Sequence, residues 1–321
     1  MKKSLVAFLV TACVALPGVS QAKPKILFMP GVADPFYFTM EKGIKAKAAA
    51  LGAELTVAEY PKAWGPENQI PILQATVARQ KYDLLLIAPT STDALKAPLK
   101  AIYDKGVEII TVDTFIGDGD YSKKSDYSFP LSYIGSDNEL GGKQMAEHLA
   151  KMVGEKGKVF CEATNPDASS VQGRVKGFKK GAEEKGLKLV GVEWCQDVQQ
   201  KAQEQTLAAL QKDKDIVGIF GTNVFSAQGS YQAVVNAGLT GAVKIASWDA
   251  TQELIGALKK GQVDLVLAQK PAEMGSLAVD WGVKYLKDKK GVKVPKKVIP
   301  GFEFFTKANV DDPKMQQYIY Q

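Results

Sequence analysis

The residues of this chain best placed to do chemistry are Asp34, Asp113, Asn223, Asp249 and Gln269. Each stands at or just past the end of a short apolar run. Carboxylates and amides in such positions accept or donate in pairs, which suits vicinal hydroxyl groups. Beside Asp34 stand Phe36 and Tyr37, whose flat faces match the apolar C–H side of a sugar ring. Taken singly, each polar residue reads equally well as a helix cap, a position that Asp and Asn favour. Phe36 and Tyr37 read equally well as core residues covering the top of a sheet. Taken together, the five polar residues come from two halves of the chain and would converge on one cleft, where they could orient a small hydroxylated molecule.

The sequence offers little for catalysis. Its single histidine, His148, lies mid-helix in MAEHLAK and reads as a surface or partly packed residue. No G-x-S-x-G elbow, GxGxxG turn or G-x-x-x-x-G-K-[ST] loop occurs, so the usual hydrolase, dinucleotide and nucleotide signatures are missing. Past residue 22 only two of the three cysteines remain, and two thiols with one histidine do not make a zinc site; the loop carboxylates are explained by solvation. No catalytic residue, metal or cofactor is expected.

The elements that must position the polar set follow from periodicity. The apolar run at 26–29 is too short for a helix and is bounded by Pro30 and Gly31, so it reads as a buried strand. Met40, Ile44 and Ala48 then repeat at helical spacing, with Gly52 as the stop. The pattern recurs: strands at 55–58, 84–88 and 107–112, a helix to about 80 whose start Pro71 should delay or kink, and a helix capped by Ser91, Thr92 and Asp93. Such alternation means a parallel sheet covered on both faces. Open α/β sheets hold ligands at the carboxyl ends of their strands, where the polar set falls. Residues 115–130, rich in Gly, Asp and Ser, break the rhythm and read as an exposed excursion. A strand at 131–134 and a helix capped by Ser136, Asp137 and Asn138 follow. A second series then runs from a strand at 158–161 to one at 263–268. A helix at 273–286 and a lone strand near 298–305 close the chain. They come after the second sheet is complete and are best used to return to the first lobe. The chain would then cross between two α/β lobes more than once, making a hinge with a cleft beside it.

The chain has 321 residues, enough for about two domains. Lys2 and Lys3 precede an apolar run at 5–14 and an A-x-A-like site at Ser20-Gln21-Ala22, the layout of an export signal cleaved after Ala22. Without Lys2 and Lys3 the basic residues fall from 41 to 39 against 35 acidic, a net charge near +4. The lysines are scattered among acidic and apolar residues and read as solvated helix faces, which disfavours nucleic acid. Cys161 and Cys195 each end an apolar run, KVFC and LVGVEWC. If those runs are neighbouring parallel strands, an oxidising compartment makes a disulfide the default, provided the Cα atoms lie within ~7 Å.

ADPFY after the first strand, ITVD after the fourth, GSDNELGG, the helix with Gly173, Arg174, Gly177 and Phe178, IFGTN, ASWD and LAQKP occur in that order. This order resembles the ribose-binding-protein-like periplasmic proteins that serve sugar importers of the ATP-driven (ABC) class, across essentially the whole mature chain. The resemblance implies two Rossmann-like lobes joined by three hinge strands, 23–134 plus 271–302 and 135–270 plus 303–321, closing on a ligand. It also places the strands of Cys161 and Cys195 side by side, in support of a disulfide. Carried over by position, Asp34 stands where the family has Asn, and Phe36 and Tyr37 become the ring-sandwich candidates. Asp113 matches a ligand Asp, but the Arg that usually follows is Thr114. Gln172 falls where another ligand Arg is expected, and Arg174 matches a second Arg. Asn223, Asp249 and Gln269 match unchanged, Trp248 stands where Phe is common, and Trp64 would add an aromatic wall or else pack at the surface. The loss of two arginines makes ribose itself doubtful and favours another neutral sugar or a polyol.

The implied function is reversible capture by a monomer that delivers its ligand to an ABC permease. A periplasmic sensor presenting the same closed form to a chemoreceptor or sensor kinase is the nearer rival. An enzyme on the same scaffold is the farther one, lacking a nucleophile–base pair. A transcriptional regulator is excluded by the export signal and the missing helix-turn-helix.

Overall fold

The computed structural model describes residues 22–154 and 156–320. The export signal, Ala22 apart, lies outside them. β1 (Lys25–Met29), β2 (Glu54–Val57), β3 (Leu84–Ile87), β4 (Glu108–Val112) and β5 (Ser132–Ile134) build the first sheet. With β11 (Lys297–Val298) added, their order is β11-β5-β4-β3-β1-β2. α1 (Pro35–Ala50), α2 (Pro66–Arg79) and α3 (Lys96–Tyr103) connect them. The second sheet repeats the plan with β6 (Lys158–Ala163), β7 (Lys188–Trp194), β8 (Ile216–Gly221), β9 (Lys244–Trp248), β10 (Leu265–Ala268) and β12 (Glu303–Phe305). Its order is β12-β10-β9-β8-β6-β7. α4 (Asn138–Val153), α5 (Ser169–Glu184), α6 (Gln199–Lys212), α7 (Val224–Asn236) and α8 (Gln252–Lys259) accompany it. All strand pairs are parallel except β10 with β12.

β3 and β4 are buried along their whole length, as expected of strands covered on both faces. The chain leaves the first sheet after β5 and returns through α9 (Pro271–Lys287). α9 buries Met274 and Gly275 against α1; a Cβ on Gly275 would meet Met40 O at 2.6 Å. The last run is not one strand but two: β11 pairs with β5 in the first sheet and β12 with β10 in the second, so the chain crosses three times. A single strand cannot serve two sheets, and Pro300 and Gly301 between them break it.

Other expectations need correction. α2 starts at Pro66, ahead of Pro71, which sits inside the helix at the loss of one backbone bond. The excursion at 115–130 carries no helix or strand but is only partly exposed: Ile116 and Tyr121 are buried, and Tyr121 Oη lies 3.0 Å from Thr111 Oγ1. The disulfide is absent; Cys161 and Cys195 are both buried and free. β6 and β7 are indeed neighbours, but the register sets Cys161 opposite Val192. Cys195 therefore lies three residues further along, ~10 Å at ~3.3 Å per residue, beyond disulfide reach.

Candidate ligand-binding site

The two sheets point their carboxyl ends at one another, and the residues there enclose a cavity of about 410 Å³, counted out to its open side. The first lobe supplies Asp34, Phe36, Tyr37, Trp64 and Asp113, the second Arg174, Asp197, Asn223 and Asp249, and the crossing segment Gln269.

Local structure explains how each side chain arrives. Asp34 caps α1, its Oδ1 accepting the Tyr37 amide at 3.1 Å, so the first turn of the helix projects Phe36 and Tyr37 into the gap. Both are buried: Tyr37 Oη donates to Asp113 Oδ2 at 2.7 Å within the first lobe, while the Phe36 ring meets Tyr320 of the second. Asp113 follows β4 with φ +62°, a left-handed conformation that costs a non-glycine residue energy. The Ile134 carbonyl accepts its amide and its own carbonyl accepts the Tyr133 hydroxyl, at 2.9 Å each. Asp249 repeats this after β9 with φ +74°. Gln269 Nε2 donates to Asp249 Oδ1 at 2.8 Å, while its Oε1 accepts from Ser136 Oγ at 2.7 Å. Asn223 caps α7 and donates from Nδ2 to Asp197 Oδ1 at 2.8 Å.

Arg174 is the cation of this cluster. Its Nε donates to Asn138 Oδ1 and its Nη1 to the Thr222 carbonyl, both at 2.9 Å, while Nη2 lies 3.9 Å from Asp113 Oδ1. The guanidinium lies 4.3 Å above the Trp248 ring. α5 can bring Arg174 this close to α4 because Gly142 faces the backbone of α5 and Gly177 that of α4; a Cβ on Gly142 would stand 2.1 Å from Arg174 O.

Four carboxylates thus share the cavity with one guanidinium. Burial pushes Asp34 well above the carboxylate range, and the charge of Asp249 adds to it. Burial lifts Asp113 to about 6 against the pull of Arg174 and the Tyr37 hydroxyl, and it raises Asp249 and Asp197 too. Two buried polar atoms here, Asp113 Oδ1 and Trp64 Nε1, have no hydrogen-bond partner among the described residues. A buried acceptor and a buried donor left open are costly unless something else completes them.

Three residues expected at the site do not line the cavity. Trp248 is fully buried beneath Arg174, Thr114 is buried with its hydroxyl donating to Pro89 O at 2.8 Å, and exposed Gln172 bonds to Pro166. Asp197, Thr164, Ala168 and Ser170 line it without having been anticipated. Asp197 had a signal: it follows the end of β7, the same carboxyl-edge position as the others. His148, read as a surface or partly packed residue, lies against Phe304 with ring centroids 4.6 Å apart.

Two parallel-sheet lobes, three crossings and a polar cavity between them define a two-lobed solute-binding protein. The chain belongs to the periplasmic binding protein family, whose domain model matches residues 26–290. This is a family of binding proteins, not of enzymes. The D-allose-binding periplasmic protein of Escherichia coli (strain K12) is 28% identical over 279 residues, covering 85% of this chain and 86% of its own. An ABC transporter solute binding protein from Agrobacterium vitis, bound with alpha-D-tagatopyranose, matches at 40% identity and TM-score 0.89 over 93% of this chain and 100% of that one. A second from that organism, with bound D-fucose, matches at 27% identity and TM-score 0.84 over 92% and 100%.

Proposed function

We propose that this protein captures a neutral monosaccharide or polyol between its lobes, without transforming it, and delivers it to an ABC permease in the membrane. The observation that carries this is convergence: Asp113, Arg174, Asp249 and Gln269 reach one cavity from both lobes and the crossing segment, beside the rings of Phe36, Tyr37 and Trp64. Asp34, Asn223 and Asp197 complete the hydroxyl-reading set. Binding selects the closed arrangement, because only there do both sets of strand ends touch the ligand. Residues 23–134 plus 271–302 and 135–270 plus 303–321 move as the two units. The protein acts as an exported monomer, cleaved after Ala22, and does not bind nucleic acid.

Relatives of similar fold bind D-allose, D-tagatose and D-fucose, so the ligand class is a single sugar ring or its open-chain counterpart. The test is calorimetric titration with D-tagatose, D-fucose, D-allose, D-ribose and a hexitol. Saturable binding of one of them is expected, with that compound recovered unchanged. Absence of saturable binding to every one of them overturns the reading.

A further inference from the structure

The segment between β12 and Tyr320 leads back to the candidate site. After β12 the backbone turns where Asn309 Oδ1 accepts the Thr306 amide at 2.7 Å, and it reaches a 3-10 turn at Gln316–Tyr318. It then lays Tyr320 beside the loop that follows β9. Tyr320 N donates to Ala250 O at 2.8 Å, and Tyr320 forms a parallel bridge with Thr251. The side chain is buried. Its hydroxyl donates to Asp249 Oδ1 at 3.0 Å and accepts from the Gln269 amide at 2.9 Å. Its ring meets Phe36 edge-on, with centroids 5.9 Å apart and planes at 66°.

One side chain therefore touches a strand end of the second lobe, a crossing segment and an aromatic wall of the first lobe. Asp249 needs such support, since a left-handed aspartate persists only where its surroundings over-determine it. The phenol is also kept neutral, and so able to donate, because burial and the charge of Asp249 hold its ionisation far above the usual tyrosine range.

We propose that Tyr320 is a positioning residue of the binding site: its hydroxyl fixes Asp249 and Gln269 for the ligand, and its ring seats Phe36 when the lobes close. This rests on the sugar-capture reading above. The Phe36 contact spans the lobes and exists only with them together, so its loss shows in ligand release more than in association.

The test compares full-length wild type with Tyr320→Phe and Tyr320→Leu. The probe is D-tagatose, replaced by D-fucose, D-allose or D-ribose if wild type ignores it. Tyr320→Phe is expected to weaken binding about 10-fold, the effect of one lost hydrogen bond to a charged group. The Gln269 amide should also lose protection from hydrogen exchange. Tyr320→Leu, which also loses the ring face, should bind more weakly still, the further loss lying in faster dissociation at an unchanged association rate. Melting curves confirm that both variants are folded. Tyr320→Phe binding within twofold of wild type, or Gln269 exchange left unchanged, overturns the proposal, as does a binding loss that only follows a fall in Tm. Wild type that binds none of these sugars instead fails the sugar-capture reading, and the Gln269 exchange then decides the anchoring alone.

Discussion

Asp113 and Asp249 occupy equivalent places in the two lobes and are held in different ways. β4 is third in β11-β5-β4-β3-β1-β2, and β9 is third in β12-β10-β9-β8-β6-β7. Each aspartate follows its strand in left-handed backbone and donates its amide to the adjacent strand, to Ile134 O at 2.9 Å and to Leu267 O at 2.8 Å. There the symmetry ends. Asp249 Oδ1 is already engaged by Gln269 and Tyr320. Asp113 has the Tyr37 hydroxyl on Oδ2, but its Oδ1 is unbonded among the described residues, and Arg174 at 3.9 Å is too far for a hydrogen bond. One carboxylate is braced by the protein itself. On the sugar-capture proposal, the other keeps an acceptor for the ligand.

The largest expected effect separates the two. Asp113→Asn keeps an oxygen for Tyr37 but turns an amide NH₂ toward the place where an acceptor is needed. Binding should weaken about 100-fold, on the scale of a lost charged hydrogen bond of ~1.5–3 kcal/mol together with a misplaced donor. Asp249→Asn retains an oxygen able to accept from both Gln269 and Tyr320, so a loss of about 10-fold is expected. Calorimetry on the two variants decides it, and equal losses would break the distinction.

The cation shared by the two lobes comes next. Arg174 divides its donors among Asn138, Thr222 and the vicinity of Asp113 while its plane lies over Trp248. A lysine ammonium has neither the fork nor the flat face. Arg174→Lys should weaken binding about 10- to 30-fold, on the scale of one or two such hydrogen bonds, and lower Tm. Unchanged binding would mean that the guanidinium serves only to pack α5 against α4.

How much of this was legible in the sequence depends on how local the determinant is. Strand ends are marked by where apolar runs stop, so Asp34, Asp113, Asn223, Asp249 and Gln269 could be found from residue order alone. Direction along an element is harder. Trp248 is the last residue of β9 and is buried under Arg174, whereas Asp249 lies past the strand in left-handed backbone and lines the cavity. Gln172 and Arg174 are two residues apart on α5, roughly 200° around the helix, so only one can face inward. The family pattern names both, and helical geometry selects Arg174. Register was invisible as well: KVFC and LVGVEWC look aligned, yet the strands pair with Cys161 opposite Val192, three residues short of Cys195. Tyr320 had no local signal, because its place is set by a tail that folds back across the second lobe.

pH offers a finer probe of the open carboxylate. Burial places Asp113 at about 6, so ligand capture should weaken as pH falls through that value and the open acceptor is protonated. The Tyr37 hydroxyl favours the ionised form. Tyr37→Phe should therefore move the acid limb of the binding curve upward by about 0.5–1 unit, taking one hydrogen bond as ~1 kcal/mol against 1.36 kcal/mol per unit. A limb that stays in place would show that Asp113 does not govern it.

The smallest effect concerns Asp34, which has no counterpart among the braced groups of the second lobe. Its carboxylate caps α1, a role that Asn fills equally well. Burial and the nearby charge of Asp249 raise its folded pKa above the ordinary value of 3.8, so the fold favours its protonated form. Its contribution to stability is then intact below pH 3.8 and is lost as pH rises toward the folded value. Asp34→Asn keeps the cap and removes the charge. Its Tm should exceed that of wild type at pH 7, with the difference shrinking toward pH 4, when both are melted without ligand. A lower Tm at pH 7 would mean that Asp34 is compensated within the protein, as Asp249 is, and that Asp113 alone is left open for the ligand.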